Sequence, residues 1–331
     1  MKIAFFGTKE YDKAHFSENY NDRLFITFLR PRLSLETAVM ADGYEAVCAF
    51  VNDDLSAPVI HALADRGVKY ILMRCAGYNN VDLVAAKERG ILVARVPAYS
   101  PEAVAEHAFA LLLAANRRIH KAYNKVRDND YSLVGLTGVN LYEKTAGIIG
   151  TGKIGRAFIR ICRGFGMNVI AWDPYPSQKA ADELGFEYLD NPYDVFMEAD
   201  VISLHCPLTE ESHHIINKDT ICRMKDGVIL LNTSRGGLIN TEDLITGIKS
   251  GKFHAVGLDV YEEEDGLVFN DKSGEILDHT TTARLLSFPN VILTSHQAFL
   301  THEALEAIAD TTVMNALNLA NGIDCPNLVT D

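Results

Sequence analysis

Short apolar runs bounded by polar and glycine-rich segments recur along the chain, and their spacing switches between strand-like and helix-like. In the first hundred residues the strand-like runs are 3–6, 46–50, 70–73 and 92–94, with helical patterns at 57–66 and 81–89 between the later ones. Strands alternating with helices predict a parallel sheet covered on both faces, because a parallel crossover needs a connection about as long as a helix. Pro97 and Pro101 then bracket a short connector. After it, residues 102–126 read as one long helix, with Ala105, Phe109, Leu112 and Leu113 at three- and four-residue spacing. A second alternating series follows, with strands expected at 145–149, 167–172, 201–204, 228–232, 255–259 and 291–294. The last pattern, 301–321, is helical and has no later strand to serve, so it is expected to return to the first sheet. The chain therefore reads as α/β, with two doubly wound parallel-sheet domains. Residues 100–297 form one, inserted into a discontinuous domain of residues 1–99 plus 298–331.

One turn in the second series carries more information than the rest. Gly150, Gly152 and Gly155 stand in a G-x-G-x-x-G pattern between the strand 145–149 and a helical stretch at 156–163. In that setting the first glycine allows the tight turn, the second lets backbone approach a pyrophosphate, and the third lets helix pack on strand. The helix N-terminus offers free N–H groups and a positive dipole end to phosphate. Asp173, at the end of the next strand and eighteen residues after Gly155, has the spacing of the acid that binds an adenosine ribose. A carboxylate there favours NAD over NADP, because it would repel a 2′-phosphate.

Composition narrows the partners. With 331 residues, 48% of them hydrophobic, the chain can bury a large core. A formal charge of −13 and a pI near 5.3 exclude the basic face that nucleic acid or an anionic membrane requires. The apolar start at 1–6 is too short for a signal h-region, and 108–115 too short to span a bilayer, so a cytoplasmic protein is expected. The six cysteines lack metal-ligand spacing and read as free thiols of a reducing compartment. His213 and His214 have Glu210 and Glu211 as their nearest carboxylates in sequence, and the group reads as a solvated turn, with no metal expected.

Three charged residues follow successive predicted strands of the second series: Arg235, Glu264 and His296. The carboxyl ends of strands line the ligand crevice of an open α/β sheet, so all three should reach one cleft. Hydride transfer to a 2-keto acid needs a carboxylate anchored, a carbonyl polarised and an oxygen protonated. Arginine suits the first two tasks through its planar, permanently charged fork, and histidine the third. A glutamate on the far ring nitrogen favours the imidazolium and fixes its tautomer. Asp259 is placed to orient the pair or to meet a nicotinamide ribose. The acidic run 262–265 would, by itself, be a solvated face. In the first domain, Ala76 and Gly77 follow Arg74 and Cys75 in a turn that can present backbone N–H groups to a carboxylate. The same turn also reads as the approach to a helix N-capped by Asn79 or Asn80.

These segments, with those around 201–207, 231–237, 257–262 and 295–299, resemble the D-isomer-specific 2-hydroxyacid dehydrogenases over essentially the whole chain. Within that family, 50–54, 74–78, 96–101, 116–120 and 296–300 are similar to the bacterial fermentative D-lactate dehydrogenase branch. The resemblance implies a Rossmann-type cofactor domain inserted in a flavodoxin-like substrate domain, and reversible NADH-dependent reduction of pyruvate. It implies Arg235 as substrate clamp, His296 as proton donor and Glu264 as its partner. Ala76 and Gly77 would hold the carboxylate, and Tyr99 and Phe299 would close over the methyl end. It assigns Lys153 and Ile154 to the pyrophosphate and Asp173 to the ribose. Cys206 and Pro207 fall to the adenine side, and Thr233, Ser234, Arg235 and Asp259 to the nicotinamide half. A homodimer or homotetramer with paired cofactor domains is implied as well. Reduction of 2-ketoisocaproate, glyoxylate or hydroxypyruvate stays open, since a methyl-sized difference in an apolar pocket is worth only about 1–3 kcal/mol. An NAD-sensing, corepressor-like binding protein is the alternative from another class.

Overall fold

The structure is a computed structural model that describes residues 1–17, 19–20, 22–264, 266–276 and 280–329. Asp265 of the acidic run and the last two residues of the expected first domain lie outside these. The chain divides into two units, one of Met1–Ser100 with Leu300–Asp331 and the other of Pro101–Phe299.

The first unit holds β1 (Lys2–Phe5), β2 (Asn19–Tyr20), β3 (Leu24–Phe28), β4 (Ala46–Ala49), β5 (Tyr70–Met73) and β6 (Leu92–Arg95). Their order is β2-β3-β1-β4-β5-β6, and every pairing is parallel except β2 with β3. Without β2 this is the flavodoxin-like order, with its switch point between β1 and β4. β3 is not among the expected strands; its residues alternate between buried and exposed, whereas β4 is buried throughout. The helix His302–Ala320, N-capped by Thr301, packs on β5 and β6. Beyond it Leu328 bridges Ala94 antiparallel and Val329 N–H donates to Val93 O, so the chain end covers part of the β6 edge.

The second unit holds β7 (Thr145–Ile149), β8 (Asn168–Trp172), β9 (Glu187–Tyr188), β10 (Val201–Leu204), β11 (Val228–Asn232), β12 (Phe253–Leu258) and β13 (Val291–Leu293). They run in the order β13-β12-β11-β10-β7-β8-β9, all parallel. This is the Rossmann order, with its switch point between β7 and β10. Alternate strand residues feed two cores. Ala146, Ile148, Ile229 and Leu231 pack with the helices Pro101–Arg117 and Lys153–Gly164 on one face. Ile149, Ile202, Leu230 and Val256 pack with Pro192–Glu198, Lys218–Arg223 and Thr241–Lys249 on the other.

The single long helix expected over 102–126 is two helices, Pro101–Arg117 and Ile119–Arg127, broken at Arg118, which takes a left-handed φ of +50°. The first buries Ala105, Ala108, Phe109 and Leu112. The second buries nothing, so the register that held the first on the core ends where its apolar stripe does.

Candidate functional site

At the β7–β10 switch point the three glycines of the fingerprint do different physical work. Gly150 has φ +95°, and a Cβ there would lie 2.6 Å from the His205 carbonyl oxygen. A Cβ on Gly155 would lie 2.1 Å from the Gly150 oxygen, so helix and strand meet at a distance only glycine permits. Gly152 has open space where its Cβ would stand. It is the N-cap of Lys153–Gly164, a helix with no side-chain cap, so the N–H groups of Lys153, Ile154 and Gly155 at its first turn have no capping acceptor. Uncapped donors beside open space at a positive dipole end are the chemistry a pyrophosphate needs.

Asp173 stands directly after β8 and is held from both sides. Its Oδ2 accepts from Thr151 N–H (2.6 Å) and Thr151 Oγ1 (2.9 Å), and its Oδ1 accepts from Tyr175 N–H (2.9 Å). Tyr188 OH lies 2.7 Å from Thr151 Oγ1 and completes the network. Across the switch point, His205 Nε2 pairs with Ser203 Oγ (2.8 Å), and its ring lies 5.0 Å from Phe158. Burial of its ring pushes this histidine down to about 3, so it is neutral. Burial likewise pushes the Cys206 thiol up to about 11, which removes it as a nucleophile; Pro207 O accepts from Ser212 Oγ. At the end of β11, Ser234 Oγ donates to Leu204 O (3.1 Å), while the buried Thr233 hydroxyl has no partner. An orphaned buried hydroxyl at the carboxyl end of β11, an uncapped helix end after β7 and a fixed carboxylate after β8 together fit a dinucleotide.

β11, β12 and β13 are neighbours and parallel, so Arg235, Glu264 and His296 share one carboxyl edge. Glu264 Oε1 lies 2.9 Å from His296 Nδ1, both side chains about one-fifth exposed. Arg235 is anchored through its backbone, where its C=O accepts from Asn232 Nδ2 (2.8 Å), and its Nη1 donates to Ser234 O (2.7 Å). His296 itself takes φ +51°, a conformation that costs free energy and persists only where neighbours enforce it. Asp259, fully buried, supplies that enforcement. Its C=O accepts from His296 N–H, Oδ1 accepts from Gln297 N–H and Thr294 Oγ1, and Oδ2 accepts from Ala298 N–H. His107 Nε2 lies 3.3 Å from Oδ1. Burial opposes ionisation of Asp259, yet these donors outweigh it and hold the carboxyl below its ordinary value.

Glu262 and Glu263 of the acidic run are exposed, as a solvated face requires, yet Glu262, Glu263 and Glu264 each engage a partner. Glu262 accepts from Thr241 N–H and Oγ1 (2.8 and 2.7 Å) and pairs with His214 Nε2 (2.6 Å). Glu263 accepts from Thr281 Oγ1, and Glu264 holds His296. The carboxylate beside the His213–His214 pair is thus Glu262, not Glu210 or Glu211. Asn240, whose Oδ1 is committed to Asp243 N–H, turns its amide NH2 towards His214 Nδ1 at 3.4 Å. His214 Nδ1 is then the acceptor and Nε2 the donor to Glu262, which suits a structural tether and leaves no free imidazole lone pair towards the carboxylate.

In the first unit, Arg74 is a buried post. Its guanidinium lies over the rings of Phe5 (4.5 Å) and Phe50 (4.9 Å) and 3.6 Å from Asp12. Arg95 Nη1 donates to Ala76 O (2.9 Å), and Cys75 Sγ to Gly77 O (3.2 Å). Those two carbonyls are committed, and among the described residues the Ala76 and Gly77 N–H groups have no backbone acceptor. The helix that follows, Leu83–Glu88, is capped by Asp82, whose side chain accepts from Ala85 N–H. Asn80 instead donates to Phe50 O and Asp53 O, and Asn79 caps nothing. Tyr99 is half-buried, and Phe299 is buried at the end of the second unit.

Sequence reasoning missed Thr151, a variable position inside the glycine fingerprint, and Tyr188, His107 and Thr294, which stand in no motif. It also missed Phe269, whose ring lies 6.0 Å from that of His296 and 6.4 Å from that of Phe299.

Comparison with known proteins places these features in a family. Residues 109–298 match the family model described as "D-isomer specific 2-hydroxyacid dehydrogenase, NAD binding domain". A D-lactate dehydrogenase of Escherichia coli is 54% identical over 331 residues, 99% of either chain. The solved apo-structure of D-lactate dehydrogenase from Escherichia coli matches with a TM-score of 0.90 at 51% identity, covering 99% of this chain and 100% of that one. A structure described as the pyruvate reductase of Chlamydomonas reinhardtii matches with a TM-score of 0.92 at 41% identity, covering 98% of each.

Proposed function

The chain belongs to the D-isomer-specific 2-hydroxyacid dehydrogenase family, and from that premise we propose that it reduces pyruvate to D-lactate, reversibly and with NADH. The observation that carries the reading is the 2.9 Å contact of Glu264 with His296 Nδ1 on the same sheet edge as Arg235. With Nδ1 engaged by the carboxylate, the remaining ring nitrogen, Nε2, is the one that gives its proton to the carbonyl oxygen. Arg235 pairs with the substrate carboxylate and polarises the keto group. From the first unit, Ala76 and Gly77 offer amide N–H groups to a carboxylate, and Tyr99 offers an apolar ring. Phe299 does so from the second. NADH supplies the hydride, held by Gly150, Gly152, Lys153, Ile154 and Gly155 at its pyrophosphate and Asp173 at its ribose. Cys206, Pro207, Thr233 and Ser234 complete its site, while Asp259, buried beneath it, acts on the nicotinamide half by holding the His296 turn. In this reading residues 100–297 are the cofactor domain, and 1–99 with 298–331 the substrate domain.

The same reading takes the enzyme as cytoplasmic; among the described residues no helix is long and apolar enough to cross a membrane. It also takes the enzyme as a homo-oligomer. Support comes from one segment of the second unit, which exposes Ile119, Tyr123, Tyr131, Leu133, Val134 and Tyr142 by more than half each. A second copy of the chain is the partner proposed for it.

The test is consumption of NADH with pyruvate, 2-ketobutyrate, 2-ketoisocaproate, glyoxylate and hydroxypyruvate in parallel. Pyruvate should give the highest kcat/KM. A longer or hydroxylated keto acid ahead of it would move the assignment to a sister activity.

A further inference from the structure

Phe269 has a backbone that needs explaining. Its φ is +65°, and for a bulky side chain the left-handed region is a true outlier, costing of order 1–3 kcal/mol. Such strain persists when the surroundings over-determine it, and here the determinants can be named. Leu267 N–H and Val268 N–H both donate to Glu264 O (3.1 Å each). Asn270 N–H donates to Leu267 O (3.1 Å), and Asn270 Nδ2 donates to Gly266 O (2.9 Å). Val268 is buried and pins the coil. The segment that begins at Glu264 thus brings a carboxylate to His296 Nδ1 and, five residues on, an aromatic ring beside the same imidazole. The Phe269 ring meets Phe299 edge to face, with an interplanar angle of 73°.

We propose that Phe269 determines substrate specificity: with Phe299 it forms the apolar wall beside His296 that admits a small apolar group on the keto acid and rejects larger or hydroxylated ones. The inference rests on the proposed reduction of 2-keto acids and names a residue that deepens it. A keto acid whose oxygen receives a proton from His296 Nε2 carries its third carbon close to that imidazole. Two aromatic rings there give a methyl group apolar contact, whereas a hydroxymethyl group loses water and finds no hydrogen-bonding partner on either ring. A branched chain needs the volume that the Phe269 ring fills.

Phe269→Gly and Phe269→Leu separate this role from a structural one. Glycine accepts φ +65° without strain, which offsets the lost ring contact and the freer unfolded chain, so that variant should melt within a few degrees of the wild type and bind NADH with unchanged Kd. With the ring gone, kcat/KM for pyruvate relative to 2-ketoisocaproate should fall about tenfold or more, and Phe269→Leu should fall between the two. The ratio for pyruvate relative to hydroxypyruvate should fall in the same direction. Equal changes for all substrates, or none, would overturn the proposal, because a merely structural residue would not alter the ratio. If the wild-type protein itself reduces none of these keto acids, the parent reading fails, and this inference fails with it.

Discussion

Alanine at Gly152 and alanine at Gly155 are the same chemical change three residues apart, and the structure predicts opposite consequences. At Gly155 the new Cβ would stand 2.1 Å from the Gly150 carbonyl oxygen, about 1 Å or more inside van der Waals contact. Neither partner is a flexible side chain, so helix and strand must separate. Overpacking of this kind costs about 1–3 kcal/mol, equivalent to a loss of about 3–10 °C in Tm for a unit of roughly 200 residues. At Gly152 the backbone has φ −64°, which alanine adopts, and no atom lies within 4 Å of the new Cβ. Loss of a favourable N-cap and reduced entropy of the unfolded chain oppose one another there, so stability should change by less than about 1 kcal/mol. The methyl group would instead occupy the approach to the uncapped helix end, and NADH affinity should fall about tenfold to a hundredfold, or 1.4–2.8 kcal/mol. Thermal melts without cofactor, paired with NADH titrations by nicotinamide fluorescence, read both quantities. A Gly152→Ala protein that binds NADH like the wild type would refute the reasoning, as would a Gly155→Ala protein with an unchanged Tm.

Three further outcomes follow from named residues. His205, about 3 when folded and near 6.5 when unfolded, takes up its proton only on unfolding, so its contribution to stability is present above pH 6.5 and is lost as pH falls towards 3. At pH 5 the loss should be about 2 kcal/mol relative to pH 8 by urea unfolding, and His205→Asn should remove most of that slope. His120 and His254, also lowered by burial, act in the same sense, whereas Asp259 and Glu262, held below their ordinary values, weaken the fold only at more acid pH. His296→Gln should lower kcat about 10²–10⁴-fold while leaving NADH Kd within a few-fold, measured by steady-state kinetics and cofactor titration. Arg235→Lys should cost about tenfold to a thousandfold in kcat/KM for pyruvate, because a point charge cannot reproduce the fork; unchanged kinetics would make Arg235 structural.

What could be read from the chain follows from where each signal resides. β5, β7, β10 and β11 begin and end where their apolar runs do, because they are central strands buried on both faces. β3 is itself an apolar run, so nothing physical hides it in the sequence, whereas the break at Arg118 is hidden because no glycine or proline marks it. The partnership of Glu264 with His296 was legible because both follow neighbouring strands of a parallel sheet. The support beneath it was not. Asp259 holds three successive amides of the His296 turn through contacts that exist only once β12 and β13 are paired. The acidic run shows the limit of local reading most plainly, since adjacent glutamates at 262, 263 and 264 serve three different partners chosen by tertiary structure. The N-cap assigned to Asn79 or Asn80 fails in a smaller way: Asp82 stands closer to the helix, and Asn80 is taken by the carbonyls of Phe50 and Asp53.

The chirality of the product formed from pyruvate and NADH, resolved on a chiral column and compared with the NADH consumed, decides the assignment. One D-lactate should form for each NADH oxidised, with no L-lactate. L-lactate, a racemic product, or NADH binding without any turnover would contradict it.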